Sequence, residues 1–421
     1  MDRLQQAIKC CSARVESSRA HDLILTADLK SVKLASMQFP DRLSARIIVE
    51  IGIALVGVVL FVSALLANQH WLDHHFLPSF YTSRSRYVWI ESIVRITIAA
   101  VGAVLALVVR RRLGKFIAYH PVRALQITLA ILLAFPATEF VLRNRHRRIA
   151  MAEEYPAEFE PSRQLDSRLG WVFVTSRTGH QRVGNRTVEY AIDSAGYRVR
   201  SVDESVDPDR PTIVFSGESM MVGERLTWDE SIPAQTGAIL GLQSANVAVS
   251  GFANDQAYLR LQAELSHFRR PVAVVTLFMP LLFDRNLNDD RPHLGPGLVW
   301  LPALHRWRLA TIFKFLVPYR SDEAIERGVS VTRQILRSTI DLARARGAVP
   351  LIVVPQFTPE EPEEREIRNR VLDEAGLPYV WVQLDASWRV PDDGHPDARA
   401  AHAIAVAIAN RLISARVSPS N

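Results

Sequence analysis

Residues 212–221, TIVFSGESMM, begin with a short apolar run that leads into Ser-Gly-Glu-Ser, the last of which is Ser219. The run has the composition of a buried strand, and Ser219 begins a segment that is typical of a helix. Gly217 allows the backbone to turn tightly between the two. A serine at such a turn can project its hydroxyl from a sheet edge, with its own N–H placed to stabilise negative charge. The position also suits a plain helix N-cap, so a nucleophile here requires a base nearby.

The segments around this serine predict an α/β domain. Four further apolar runs follow it: ANVAVS at 245, VAVVTLF at 272, VPLIVV at 349 and YVWVQL at 379. Helical patterns lie between and after them, at 255–267, 322–346, 361–375 and about 396–413. Continuously apolar strands that alternate with helices predict a parallel sheet covered on both faces. Ligands bind at the carboxyl ends of such strands, which is where Ser219 lies.

A candidate base lies near the C-terminus. The segment VPDDGHPDARAAHAIA, 390–405, follows the last predicted strand and opens the last helix. His395 is therefore expected at the same sheet edge as Ser219. Asp392, three residues earlier, can turn back and accept from one ring nitrogen, which fixes the tautomer. The alternative is a solvated loop with an Asp-Gly turn. His402, one to two helical turns further on, is interpreted as structural.

From about Leu169 to the C-terminus, these segments together resemble the SGNH (GDSL-type) hydrolase family. The resemblance implies a flavodoxin-like, three-layer α/β domain with a parallel sheet. The family's Gly-Asp-Ser block is matched by Gly217-Glu218-Ser219, with glutamate in place of aspartate. Its second block, a strand followed by glycine, is matched by NVAVSGFANDQ, which contains Gly251.

The resemblance also implies roles for these residues. Ser219 would attack an ester carbonyl, and His395 would act as general base and then as general acid. Asp392 would orient His395, completing the family's Asp-x-x-His block. The N–H groups of Ser219 and Gly251 would hold the oxyanion.

At one block the sequence differs clearly from the family pattern. The usual Gly-x-Asn-Asp, whose asparagine completes the oxyanion hole, is replaced by a strand ending in VVTLFMPLLFDRNLNDDRP, with Met279 and Pro280 at the expected place. Asn286 is the nearest substitute, and Asn254 is another. Loss of one oxyanion donor costs a factor of about 10² to 10³ in rate, so another group substitutes or the enzyme is slow. Arg285 is a candidate contact for an anionic substrate, or an ordinary solvated arginine.

Three N-terminal segments are apolar enough to span a membrane: 51–72, 87–109 and 124–142. In the second, Glu91 and Arg95 lie four residues apart, so they should face each other on a helix and lower each other's cost. The third segment contains Pro136 and Glu139, and a buried soluble helix is its alternative.

Basic residues in the flanks favour a cytoplasmic N-terminus in a bacterial inner membrane, with a periplasmic catalytic domain. The basic run after the third span opposes this orientation. The expected organisation is a cytoplasmic segment at 1–45, a membrane region at 46–143, a linker at 144–168 and the hydrolase domain at 169–421. Within that domain, residues 169–210 form a small β-rich lead-in.

Charge argues against a nucleic-acid role. Residues 1–150 hold 20 Lys and Arg against 9 Asp and Glu, whereas the remainder holds 30 against 35. The basic excess therefore belongs to the membrane region, and no nucleic-acid motif accompanies it. Cys10 and Cys11 are adjacent, which predicts neither a disulfide nor a metal site. No metal-ligand spacing is present, and no cofactor is expected, because the triad supplies both nucleophile and proton transfer.

The sequence leaves three functions open. The first is a membrane-anchored serine esterase acting on acyl esters, for example O-acetyl groups on a cell-envelope polysaccharide. The second is an O-acyltransferase with the same triad, in which a sugar hydroxyl replaces water. Three spans are few for passing an acyl donor, so this reading requires a membrane acyltransferase partner. The third is a non-catalytic binding module, supported by the missing asparagine block and by Glu218.

Overall fold

The computed structural model describes residues 42–78, 84–150, 160–304, 319–391 and 393–417. The predicted cytoplasmic segment lies almost entirely outside these residues, as do Cys10, Cys11 and Asp392. The chain divides into two compact units. One contains residues 1–61 and 100–128, and the other contains residues 62–99 and 129–421.

The N-terminal region is helical. Its elements are α1 (Arg42–Leu66), α2 (Gln69–His75), a short strand β1 (Phe76–Pro78), α3 (Arg84–Val104), α4 (Arg110–Tyr119) and α5 (Pro121–Ala150). One π-helical turn, Leu105–Val109, joins α3 to α4. Three helical stretches are long and apolar enough to cross a membrane, as predicted, namely Leu43–Leu66, Ser85–Tyr119 and Pro121–Asn144. Helix α5 continues to Ala150, so residues 144–150 of the expected linker are helical.

Two glycines bring α1 and α3 into backbone contact within the first unit. A Cβ on Gly57 would lie 2.6 Å from the carbonyl oxygen of Gly102, and a Cβ on Gly102 would lie 2.6 Å from that of Gly57. Small residues at such crossings are typical of helices that associate within a membrane. In the second unit, Arg95 lies 3.2 Å from Glu91, so the predicted pair within the second span is present.

The C-terminal region contains the remaining strands and helices. The strands are β2 (Arg163–Asp166), β3 (Gly170–Phe173), β4 (Arg177–Val183), β5 (Arg186–Ile192), β6 (Arg198–Val199), β7 (Thr212–Phe215), β8 (Gln243–Asn246), β9 (Pro271–Leu277), β10 (His293–Leu294), β11 (Trp300–Leu301), β12 (Tyr319–Ser321), β13 (Val349–Gln356) and β14 (Tyr379–Gln383). The helices are α6 (Ser219–Val222), α7 (Ile232–Leu240), α8 (Asn254–Glu264), α9 (Pro280–Asn286), α10 (Asp322–Ala345), α11 (Pro362–Arg368) and α12 (Ala398–Val417).

The central sheet confirms the predicted fold class. Its strand order is β14-β13-β9-β7-β8-β6-β5-β4, and the five strands from β14 to β8 are parallel. Counted along the sequence, those five have the flavodoxin-like order 2-1-3-4-5. Helices α7 and α12 pack together, and α8 packs against α10, giving a helical layer on each face. Strand order reverses at β7, so its carboxyl end opens the crevice where ligands bind in this architecture.

The β-rich lead-in is continuous with this sheet. Strands β4 and β5 form an antiparallel hairpin, β5 pairs with β6, and β6 joins the edge of β8 through Arg198 and Asn246. The other lead-in strands, β2 and β3, form a separate antiparallel pair. Residues upstream of the Ser219 block therefore build one side of the α/β domain.

Candidate active site

Ser219 begins α6 at the carboxyl end of β7 and is only 6% exposed. The carboxylate of Glu218 caps the helix by accepting a 2.9 Å hydrogen bond from the Met220 N–H. The helix ends after one turn at Gly223, which is left-handed with φ +78°. A Cβ there would lie 2.7 Å from that of Ser231, so glycine is required. This short, capped turn fixes the serine at the sheet edge.

The structure brings His395 to Ser219. The His395 Nε2 atom lies 2.8 Å from Ser219 Oγ, which is hydrogen-bonding distance for a general base and its nucleophile. His395 sits in the loop between β14 and α12. That loop is closed on itself by a 2.9 Å hydrogen bond from the Val390 N–H to the His395 carbonyl. The base therefore has a fixed position despite its place in a loop.

The carboxylate beside His395 is Asp393. Its Oδ1 contacts the ring Nδ1 and also accepts a 2.9 Å hydrogen bond from the His395 backbone N–H. The sequence predicted Asp392 for this role. Asp392 itself lies outside the described residues, but the structure fills the orienting position with its neighbour. The tight closure of the loop brings the Asp393 side chain, two residues before His395, to the ring.

Electrostatics keep Asp393 ionised. Burial alone would raise its pKa, but hydrogen bonds from His395 and the charges of His395 and Arg225 outweigh burial and lower the pKa below its usual range. Arg225 Nε lies 3.1 Å from the second carboxylate oxygen. An ionised Asp393 can hold the Nδ1–H tautomer, which leaves Nε2 free to accept the serine proton.

Arg225 is itself held in an unusual conformation. Its φ is +69°, a region that non-glycine residues rarely occupy. Two side chains of the lead-in secure it: its N–H donates to the Tyr190 hydroxyl at 2.7 Å, and Arg186 donates to its carbonyl at 3.0 Å. The lead-in thus positions the residue that contacts Asp393.

A buried arginine supports the turn between Ser219 and Arg225. Arg198, at 0% exposure, donates 2.6 Å hydrogen bonds to the carbonyls of Val222, Gly223 and Leu226. Burial lowers its pKa to about 10, so it remains charged at neutral pH. Sequence analysis missed Arg198 and Arg225, because their partners are distant in sequence and no local pattern marks them.

Glu218 does more than cap a helix. Its Oε2 also contacts Ser219 Oγ, and Arg285 Nη1 lies 3.5 Å from the same oxygen. Glu218 is 3% exposed, and Arg285 is held by a 3.1 Å hydrogen bond to the Phe252 carbonyl. The serine hydroxyl therefore has two acceptors within reach, a buried carboxylate and the imidazole of His395.

Two backbone groups remain as oxyanion candidates. The Ser219 N–H is at the first position of α6, where helical N–H groups have no acceptor within the helix. Gly251 has φ +83° in the loop after β8. A 3.2 Å hydrogen bond from the Val249 N–H to the Gly217 carbonyl ties that loop to the serine turn. Both groups stay predictions as oxyanion donors.

The structure does not place either predicted asparagine at the serine. Asn286, at the end of α9, donates to Thr332 Oγ1 at 2.9 Å and accepts from the Asp255 N–H at 3.3 Å. Asn254 donates to the Leu277 carbonyl at 2.8 Å. Both side chains are buried in the packing around α8 and α9, and neither lines the cavity at Ser219. Because α9 begins at Pro280, it carries Asn286 away from the sheet edge.

A cavity of about 560 Å³ opens at Ser219 and His395. Its apolar lining is Met220, Met279, Pro280, Leu281, Pro355 and Phe357, and its charged lining is Glu218, Arg285, Glu364 and Arg389. A second cavity of about 860 Å³ is lined by Asp393 and by four arginines, among them Arg182. Among the described residues, no cluster of His, Cys, Asp and Glu could hold a metal ion.

No family model matches the sequence, and no curated protein is significantly similar to it. Several solved structures are similar in fold. An acetyl xylan esterase from Butyrivibrio proteoclasticus is 11% identical, with 51% of this chain and 66% of that chain aligned and a TM-score of 0.32. A GDSL-like lipase from Bacteroides thetaiotaomicron is 15% identical over 49% and 89%, with a TM-score of 0.29.

A member of the lipolytic G-D-S-L family from Veillonella parvula is 9% identical over 47% and 96%, with a TM-score of 0.30. The GDSL description thus recurs among the structural matches. Similarity at this level carries no inference about substrate or site residues, which depend on the geometry of the chain itself.

Proposed function

We propose that the protein is a membrane-anchored serine hydrolase that cleaves acyl esters. The observation that carries this proposal is the 2.8 Å contact between His395 Nε2 and Ser219 Oγ, with Asp393 at the opposite ring nitrogen. A serine hydroxyl is a poor nucleophile alone, and this arrangement is the one that activates it. Three apolar helices long enough to span a bilayer supply the anchor.

The geometry supports a two-step reaction. As Ser219 Oγ attacks the ester carbonyl carbon, His395 Nε2 takes the hydroxyl proton, and Asp393 stabilises the imidazolium. The carbonyl oxygen becomes an oxyanion beside the Ser219 N–H. Collapse of the intermediate breaks the bond to the alcohol oxygen, which receives the proton from His395. Water then attacks the acyl-serine with His395 again as base, releasing the acid and restoring Ser219.

The substrate class follows from the cavity and the anchor. The apolar part of the lining, which includes methionine, proline and phenylalanine side chains, suits a short acyl group such as acetyl. An anchored domain facing the periplasm would reach esters of the cell envelope, of which O-acetylated polysaccharide is an example.

Labelling with a fluorophosphonate probe tests the proposal on the detergent-solubilised full chain. We expect the wild type to react covalently and both Ser219→Ala and His395→Ala to lose labelling by at least about 10³-fold, because the members of a triad act as a unit. Ser387→Ala and His402→Ala are matched controls: Ser387 is exposed, and His402 contacts Gln235. Both should label like the wild type.

The opposite result has a defined meaning. If the folded wild type does not react, or if Ser219→Ala reacts equally, then Ser219 is not an activated nucleophile. The chain would then be a binding module on a hydrolase fold. Folding of each variant is checked by its melting temperature.

A further inference from the structure

Arg389 is a half-buried cation inside the catalytic cavity. It lines that cavity together with Ser219 and His395. Its guanidinium lies 3.9 Å from the centroid of the Phe357 ring, and it donates to the carbonyl of Gly394, the residue before the base. These two contacts hold the planar head group beside the reacting centre at little entropic cost.

The two carboxylates that line the cavity, Glu218 and Glu364, contact residues other than Arg389. Glu218 contacts Ser219 and forms an ion pair with Arg285. Glu364 accepts from Gln356 at 3.3 Å and from the Glu361 N–H at 3.1 Å, and burial raises its pKa. Among the described residues, no carboxylate forms an ion pair with Arg389. Within the part of the chain that the structure describes, the Arg389 guanidinium thus lines the cavity without a carboxylate partner of its own.

An unpaired cation that is partly withdrawn from water is costly unless a ligand supplies the counter-charge. Burial lowers the pKa of Arg389, and no charge on the described residues counts among the causes of that shift. A guanidinium offers two parallel N–H donors that match a carboxylate or a phosphate. Because Arg389 lines the same cavity as Ser219 and binds the carbonyl of Gly394, an anion at Arg389 and an ester at Ser219 would occupy one cavity.

We propose that the substrate of this site carries an anionic group, a carboxylate or a phosphate, which binds Arg389 while the ester lies at Ser219. The proposal rests on the proposed hydrolase function and narrows its substrates to acyl esters of anionic molecules. The anion belongs either to the alcohol part or to the acyl part of the ester, and the two sources give different substrate preferences.

Paired substrates of similar shape distinguish these sources. For an anion on the alcohol, 4-acetoxybenzoate is compared with phenyl acetate. For an anion on the acyl group, mono-4-nitrophenyl glutarate is compared with 4-nitrophenyl pentanoate. A charge-assisted hydrogen bond to guanidinium corresponds to a preference of about ten-fold or more in kcat/KM. We expect that preference for the charged member of one pair.

The test variants are Arg389→Gln and Arg389→Lys, with Arg182→Gln as the matched control. Arg182 is an exposed arginine that also lacks a carboxylate partner among the described residues, but it lines the second cavity. Arg389→Gln should lower kcat/KM for the charged ester by about ten-fold more than for the neutral ester, so that the preference disappears. Arg389→Lys should restore part of it, because the charge is kept and the planar fork is lost. Arg182→Gln should keep the preference.

The outcomes separate the two proposals. An equal loss on charged and neutral esters in Arg389→Gln assigns Arg389 a purely structural role and overturns the inference, as does a wild type without preference. If no ester is hydrolysed, the hydrolase proposal fails. Calorimetric binding of 4-acetoxybenzoate and phenyl acetate to Ser219→Ala then decides the inference: tighter binding of the anion that depends on Arg389 supports it, and equal binding overturns it.

Discussion

Ser219 Oγ carries one proton and has two acceptors for it. When the hydroxyl donates to Glu218, it cannot donate to His395, and only the second arrangement leads to attack. One carboxylate oxygen of Glu218 contacts Oγ while the other caps the helix at the Met220 N–H. Arg285 partly offsets the charge of Glu218 at 3.5 Å but does not remove this competition.

Glu218→Asp should therefore make the serine more reactive. Aspartate is an effective N-cap, so the hydrogen bond to the Met220 N–H should survive while the carboxylate withdraws from Oγ. Loss of one hydrogen bond to the nucleophile corresponds to a fluorophosphonate labelling rate about five-fold higher. Glu361→Asp is a matched control, since Glu361 is the N-cap of α11. A rate equal to or below that of the wild type would show that Glu218 does not restrain Ser219.

Arg225→Gln should change stability in a pH-dependent way. Arg225 helps to hold the pKa of Asp393 below its usual value, so the pair stabilises the fold above the unfolded pKa of aspartate. That stabilisation is lost as the pH falls through the lower folded pKa, where Asp393 becomes protonated. We expect a loss of about 1 kcal/mol at pH 7 that disappears at lower pH.

Melting temperatures of wild type and Arg225→Gln between pH 3 and pH 7 measure this difference. Arg200→Gln is the control, because Arg200 pairs with the exposed Asp229 at 2.7 Å, away from the catalytic loop. A difference for Arg225→Gln that stays constant with pH would mean that the ion pair with Asp393 contributes nothing.

Sequence reasoning could bring Ser219 and His395 together because each follows a parallel strand, and the carboxyl ends of such strands meet at one edge. It could not choose between Asp392 and Asp393. That choice depends on the closure of the loop by Val390 and His395, which no spacing rule encodes. The same limit applies to Asn286. A polar residue that follows a strand lines the cavity only if the next helix leaves it near the sheet edge, and the course of that helix could not be predicted.

At the scale of elements, the crossing of α1 and α3 depends on Gly57 and Gly102. Gly57→Leu should force these helices apart, because even a Cβ would lie 2.6 Å from the Gly102 carbonyl oxygen. Overpacking of a close crossing costs about 1 to 3 kcal/mol. Gly52→Leu on the same helix is the control, since a Cβ there has nothing within 4 Å.

Melting of the full chain in a mild detergent measures this effect. Gly57→Leu should lower the melting temperature, whereas Gly52→Leu should not. Equal effects of both variants would mean that the loss of glycine flexibility, and not the helix crossing, determines the result.

The parallel strands and the long helices of the C-terminal α/β domain were predictable, because buried parallel strands are apolar throughout and long helices keep a 3.6-residue period. Helix α7 was missed, since Ile232–Leu240 is short and lacks a clear polar face. The pairing of β6 with β8 was missed for another reason. The pairing joins residues about 50 positions apart, and a strand of two residues is too short to show an alternating pattern in the sequence.

At the scale of the whole molecule, β1 constrains membrane topology. It follows the first span and pairs with β12, with Leu77 opposite Arg320. The segment between the first two spans and the segment before α10 must therefore lie on one side of the membrane. If all three candidate helices cross the membrane, the two segments lie on the same side, as the strand pairing requires. The basic flanks predict that this side is the periplasm.

Labelling of introduced cysteines with an impermeant maleimide in intact spheroplasts tests this topology. In a background with Cys10 and Cys11 replaced by serine, Asn68→Cys and Ser387→Cys should react, whereas Arg112→Cys should react only after lysis. The reverse pattern would place the hydrolase in the cytoplasm. Labelling of Asn68→Cys and Ser387→Cys on opposite sides would contradict the β1–β12 pairing.

The hairpin β4–β5 also bears on where the C-terminal α/β domain could be separated from the apolar N-terminal helices. Its outer strand β4 ends the sheet with Thr178, His180 and Arg182 exposed, and polar and charged residues at an edge discourage pairing with another chain. A fragment starting after residue 199 would lose this hairpin together with β6, the strand that pairs with the edge of β8. We therefore expect a separated domain to stay monomeric when the cut lies upstream of β4, and to associate through the exposed sheet edge when the cut lies after β6.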